Sequence, residues 1–176
     1  MRITDLSYLR DIYNHVCLSP HLDDVESSCG GMMIRQRHAG ERVLTVTLCT
    51  AVPPLADPFS AFAIDDHRQA HASQEVIVAR LGEETLAMEQ IGADHYWAGM
   101  LHAIYRFPQA YAYRATLFNT PHPDDPLFND LEAFLSMLRA RTQCSLLCTA
   151  WRWRSCRSSD RLSRCAERDE QQYNVL

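Results

Sequence analysis

His21, Asp23 and Asp24 stand within four positions of one another, directly after the short apolar run HVCLS (15–19) and ahead of the pair Gly30-Gly31. An imidazole and a carboxylate are borderline-to-hard ligands suited to Zn2+ or another divalent metal, and an open position on such an ion lowers the pKa of its water to about 7. The remaining aspartate could take the released proton. The competing reading is structural: Asp23 and Asp24 cap the following helix and His21 is a solvated loop residue. The residue types alone leave both readings open.

The elements around this cluster have to put it somewhere useful. HVCLS reads as a buried strand, followed by a loop and by a helix that carries Met32, Met33 and Ile34 and stops near Gly40. RVLTVTLCT (42–50), rich in β-branched residues, reads as a second strand. The proline-rich stretch from Val52 to about Asp66 shows no period and is expected to be a long loop. A helix is expected over 73–91 and closed by Gly92, a strand over 94–98, a helix over 130–142 and a strand over 145–149. Strand-helix alternation of this kind predicts a three-layer, doubly wound, mostly parallel α/β sheet of the Rossmann-like type, formed by a single domain over 1–150. Ligands in such sheets lie outside the carboxyl ends of the strands, and the cluster falls at the end of the first of them.

Composition narrows the class. The chain has 176 residues, 47% of them apolar, enough for one core and against disorder. No apolar stretch approaches the roughly 20 residues that a bilayer needs, and the N-terminus MRITDLSYLRD is charged where a signal peptide is apolar. A soluble, cytoplasmic protein with no transmembrane segment is expected. The net charge of -5, from 22 acids against 17 bases, makes nucleic acid an unexpected partner. The oligomeric state is not legible. Seven cysteines without a C-x-x-C pair suit neither a disulfide framework nor a zinc ribbon and are expected to be reduced and mostly buried. All 17 bases are arginine, as GC-rich coding would produce.

Ser19-Pro20-His21-Leu22-Asp23-Asp24, followed by Ser28-Cys29-Gly30-Gly31, resembles the motif of the PIG-L (LmbE-like) zinc-dependent N-acetylglucosamine deacetylases, with Leu22 in place of the common proline. Arg80 with Glu83-Glu84 resembles the R-x-x-E-D helix of that family. Leu86 to Ala93 resembles its A-x-x-x-LGA ending, and Ala103-Ile104-Tyr105-Arg106 the A-I-Y-R element of one bacterial branch. The similarity covers most of residues 13–148. It implies that His21 and Asp24 are zinc ligands, that Asp23 is the general base acting on water, and that Arg80 contacts substrate. The implied reaction is hydrolysis of the acetyl amide of a small N-acetylated sugar conjugate. A rival expectation from another class is a non-catalytic α/β module in which the same residues bind the hydroxyls of a sugar or nucleotide.

Two further clusters compete. His122-Pro123-Asp124-Asp125 has apt letters but lacks a preceding strand and a glycine pair, so it is expected to be a proline-punctuated surface turn capping the helix that follows. His67 and His71 lie one helical turn apart without the acid of a zinc protease and are expected to be solvated. Tyr111, Tyr113 and Trp97 are expected to pack rather than to bind carbohydrate.

The segment 151–176 breaks the pattern, with six arginines, two tryptophans and two cysteines between 151 and 168 at no regular period. The resemblance implies Y-A-P-L-G-x-G-G-H-x-D-H here, supplying a third zinc ligand and an assisting histidine, yet no histidine follows His122. Codons for Leu147 to Ser159 can be chosen that, read one nucleotide later, spell Y-A-P-L-G-V-G-G-H-V-D-H. The two Trp-Arg steps constrain the choice, because TGG followed by C or A yields glycine whatever else is chosen. Ser155, Arg157 and Ser158 then occupy the places of H-x-D-H. The expectation is an aberrant, out-of-frame tail after residue 150, a third ligand missing near Ser158, an incomplete C-terminal part of the fold and impaired activity of the chain as it stands.

Overall fold

The computed structural model describes residues 1–148 apart from 7, 8, 10–12, 54–59, 69–73, 118 and 142–144. Five parallel strands form one sheet in the order β1-β4-β3-β2-β5: β1 (Arg2–Ile3), β2 (His15–His21), β3 (Val43–Cys49), β4 (Asp94–Trp97) and β5 (Ser145–Cys148). Helix α1 (Asp24–His38) joins β2 to β3. Helices α2 (Ala61–Arg68) and α3 (Gln74–Ile91) lie between β3 and β4 in the chain, and the short turns α4 (Ala103–Arg106) and α5 (Arg114–Leu117) precede α6 (Leu127–Arg141).

Alternation along the strands explains the three layers. Val16, Leu18, Leu44 and Val46 face one side and pack with Leu131 and Leu138 of α6. Cys17 and Val43 face the other side and pack with Val25 and Met33 of α1 and Met88 of α3. The register places His15 beside Val43 and Cys17 beside Thr45, so a slip of one residue would turn both apolar sets to the wrong layer. The chain steps outward through β2, β3 and β4, then crosses back over the opposite face to lay β5 beside β2. The reversal of direction therefore falls between β2 and β5, the topological switch point of an open α/β sheet.

Three local readings change. Helix α1 begins at Asp24, with Gly30 and Gly31 inside it, rather than after the glycine pair. Burial of Val25 and Met33 overrides the weak helix propensity of Ser-Ser-Cys-Gly-Gly. The expected loop over 52–66 contains α2, whose first turn is capped by Ser60 Oγ accepting from the Ala63 amide at 3.1 Å. Finally, β1 adds an edge strand too short to show a period. Among the described cysteines, Cys17 and Cys49 are buried and Cys29 is half-buried, all as free thiols. No helix among the described residues is long and apolar enough to cross a membrane.

The amino ends of β3 and β4 are tied by one carboxylate. Asp94 accepts from Tyr13 Oη at 2.7 Å and from Arg42 at 3.0 Å, and pairs with the Met1 ammonium at 3.0 Å. Burial pushes the Asp94 carboxyl up, but these partners hold it below its usual value. A depressed folded-state pKa contributes stability that is complete above the unfolded value of about 3.9 and is lost as pH falls through the folded value. Asp94→Asn is therefore expected to lower stability by about 1–3 kcal/mol at pH 7, the difference closing below about pH 4 in urea titrations.

Candidate active site at the carboxyl end of the second strand

β2 ends at His21, and the chain turns through Leu22 and Asp23 into α1. Ser19 Oγ donates to the His21 carbonyl at 2.7 Å, fixing the exit of the strand. Asp24 folds back on it: its Oδ2 accepts from the His21 amide at 3.1 Å and lies 3.2 Å from His21 Nδ1. Burial lowers the His21 imidazole, but hydrogen bonding to Asp24 and Cys49 outweighs that and carries it to about 9. A cation arriving here therefore displaces a proton.

Asp23 has φ 71° and ψ -6°, the only positive φ outside glycine among the described residues. It occupies the N-cap position of α1 yet makes no side-chain cap hydrogen bond, so capping does not account for its carboxylate. Burial raises its pKa, the charge of Arg80 opposes the rise, and Glu83 and Asp24 add to it. Left-handed backbone costs an ordinary residue about 1–2 kcal/mol, and Asp and Asn tolerate it better than most. Asp23→Ala is accordingly expected to lose about 1 kcal/mol of stability in urea unfolding, while Asp23→Gly and Asp23→Asn lose little.

Helix α3 supplies the wall. Arg80 lies close enough for its charge to act on both Asp23 and His102. Glu84, fully buried, accepts from Thr47 Oγ1 of β3 at 2.5 Å and from Trp97 Nε1 of β4 at 2.5 Å, locking the helix to two strands under the site. Burial raises its carboxyl, against the pull of both donors. Beside it, Glu26 of α1 is pushed up to about 7 by burial, with Glu84, Asp23 and Asp24 adding to the rise.

His102 joins the cluster through a contact with His21 that residue types and spacing do not reveal. Its ring stacks on that of His21, with centroids 4.9 Å apart and planes 17° from parallel. Burial drives its pKa down to about 3, helped by the charges of His21, Arg106 and Arg80.

The second cluster lies in the turn before α6. His122 packs edge-on against Phe107, and the Asp124 side chain is 82% exposed. Asp125 Oδ1 accepts from the Leu127 amide at 2.9 Å, the expected cap on α6. The turn is nevertheless not all surface: Asp125 is buried and grips Arg106 with both oxygens, at 2.8 and 3.0 Å, while Tyr111 Oη donates to it at 2.7 Å. Tyr113 is exposed. The His67–His71 pair and the tail with Ser155, Arg157 and Ser158 lie outside the residues whose side chains are described.

The ligand pair passes a simple fit test for a cation. Two donors on a tetrahedral zinc ion, each about 2.0–2.2 Å from it, sit about 3.3–3.6 Å apart, a little wider than the 3.2 Å between His21 Nδ1 and Asp24 Oδ2, so a small spreading of the pair admits the ion. Imidazole plus carboxylate is an apt donor set, but it fills two positions, and no group of three potential ligands occurs among the described residues.

Fold and topology define a parallel α/β sheet with an imidazole-carboxylate cluster at its switch point. Solved structures share this architecture. A deacetylase of the teicoplanin biosynthesis pathway matches with a TM-score of 0.60 and 22% identity over 76% of this chain and 54% of its own. The zinc-inhibited form of teicoplanin deacetylase Orf2 matches with a TM-score of 0.58 and 21% identity over 76% and 55%. The A40926 pseudoaglycone deacetylase Dbv21 matches with a TM-score of 0.50 and 27% identity over 77% and 62%. The chain thus spans a little over half the length of the first two. No family model and no curated protein matches it.

Proposed function

We propose that the chain carries the active-site half of a zinc- or other divalent-metal-dependent hydrolase of the PIG-L (LmbE-like) type, cleaving the acetyl amide of an N-acetylglucosamine-type conjugate. The observation that carries this reading is the meeting of His21, Asp24 and an uncapped, left-handed Asp23 at the carboxyl end of β2. The shared fold of solved deacetylases supports it.

His21 and Asp24 would hold the ion, which when bound supplies Lewis acidity toward a carbonyl and toward water. Asp23 accepts the proton of the attacking water as its oxygen bonds to the acetyl carbon. The same carboxyl returns that proton to the nitrogen as the C–N bond breaks, giving acetate and a free amine. Arg80 keeps a positive charge beside Asp23 and is placed to meet the polar groups of the sugar. Residues 1–150 form the α/β domain in this reading, and 151–176 are an out-of-frame tail in which Ser158 stands where a third ligand belongs.

The test is acetate release from N-acetylglucosamine derivatives by protein with the frame restored after Leu147, alongside its Asp23→Asn variant. A fall of about 10²–10⁴-fold is expected for the variant. An undiminished rate assigns the base to another residue. Sugar binding without metal uptake or acetate release would favour the non-catalytic module.

A further inference from the structure

His102 is held in place by more than its own packing. The segment before α4 is strapped by Arg106, which donates to the Leu101 carbonyl and is itself gripped by both oxygens of buried Asp125. Cys49 Sγ lies 3.9 Å from that same carbonyl, and Cys49 is the register partner of His21 across β2 and β3. Leu101 is thus pinned from two sides, and the next residue lays its imidazole flat on that of His21 at 4.9 Å. The Nε2 of His102 is buried with no hydrogen-bond partner. Burying an imidazole nitrogen unpaired is costly, so contact between the rings, rather than a hydrogen bond from that nitrogen, accounts for its placement.

The other face of the problem is His21. Half of its side chain is exposed, and its hydrogen bonds run to Asp24, the other candidate ligand, and to the Cys49 thiol, a weak partner that fixes the ring plane poorly. An incoming cation competes for the bond to Asp24, so Asp24 cannot both orient the ring and bind the ion. Ligating histidines ordinarily have an outer partner that fixes their plane, and losing it weakens metal binding by about 10–100-fold.

We propose that His102 is a positioning residue that sets the plane of the His21 imidazole by stacking. The part of this that concerns metal affinity rests on His21 and Asp24 being cation ligands; the part that concerns the ring plane does not. A flat aromatic ring should serve as well as an imidazole, because the contact uses the face of the ring.

The experiment uses the 176-residue chain, its His102→Ala variant and its His102→Phe variant. In the metal-free proteins, the ring C–H resonances of His21 are followed by NMR. Removing the stacked ring in His102→Ala should shift them and broaden or average them, while His102→Phe keeps them displaced by a ring current and sharp. Titration with Zn2+ alone should show about tenfold weaker binding in His102→Ala and binding close to the parent in His102→Phe. A purely structural role would lower the melting temperature and leave both the His21 signals and the zinc affinity of the folded protein unchanged, and that result overturns the proposal. Unmoved His21 resonances in His102→Ala overturn it as well. If the parent takes up no zinc while its His21 signals respond as stated, the ring-setting role stands, and the same titration of the frame-restored protein decides the reading of His21 and Asp24 as ligands, which falls if that protein takes up none either.

Discussion

Restoring the shifted frame from about Leu147 onward is expected to turn a chain that holds substoichiometric zinc, with little or no acetate release, into one that holds one ion and turns over. The argument is a ligand count. Catalytic zinc sites take three protein groups and leave a position for water, whereas in the proposed reading His21 and Asp24 would supply two. Loss of even an outer partner of a ligand costs about 10–100-fold in affinity, so loss of a ligand itself should cost at least that much. Metal content by atomic absorption and acetate release, measured on the two versions side by side, check it. Equal metal and equal activity would make 151–176 a genuine part of the protein and assign the third ligand to another residue.

The second large effect belongs to stability. Asp125→Ala is expected to cost about 3–5 kcal/mol, because it leaves Arg106, whose side chain is 10% exposed, as an uncompensated buried charge. It also removes the acceptor of Tyr111 Oη and of the Leu127 amide at the start of α6. Burial lowers the Arg106 guanidinium and raises the Asp125 carboxyl, yet their pairing reverses both, which is the sign of a pair that stays ionised. Asp124→Ala, one residue earlier and exposed, should change stability little. Replacing Arg106 and Asp125 together by apolar residues should recover much of the loss. Urea midpoints at constant slope read all three.

Sequence periodicity made the layers legible and left much of the site hidden. The strands over 15–19 and 43–49 announce themselves because β-branched and apolar residues run unbroken through positions buried on both faces of a parallel sheet. The helix over 74–91 shows because Val76, Ala79, Arg80, Glu83, Glu84, Ala87 and Met88 recur at helical spacing, although of these only Glu84 and Met88 are buried and Ile77 completes the inner face. The start of α1 at Asp24 was obscured by poor helix formers whose cost is met by tertiary burial. Ser60 was a readable signal for α2, outweighed by the prolines before it.

His21, Asp23 and Asp24 could be found because they lie within four positions of one another in the chain. His102 could not, although it directly precedes Ala103-Ile104-Tyr105-Arg106: its meeting with His21 exists only once the turn after β4 is folded over the end of β2. Asp125 was read as a turn residue, which it is, but its pairing with Arg106 depends on two segments nineteen positions apart closing on one another. Left-handed backbone at Asp23 is likewise a property of the strand-to-helix turn, invisible in residue types.

The place of β1 at the outer edge of the sheet bears on how the protein is made. Arg2 pairs with His95 and Ile3 with Tyr96, so this segment has no partner until β4, far along the chain, has been made. Meanwhile β2, α1 and β3 can already assemble, since each is adjacent to the next in both chain and sheet. Synthesis therefore sets an order in which the turn from β2 into α1 takes shape early and β1 docks late. During that interval β4 has an open edge, and a second nascent chain offers the same Arg2–Ile3 segment to fill it. Closely spaced ribosomes on one message should thus favour exchanged-strand dimers, and slower initiation should reduce them.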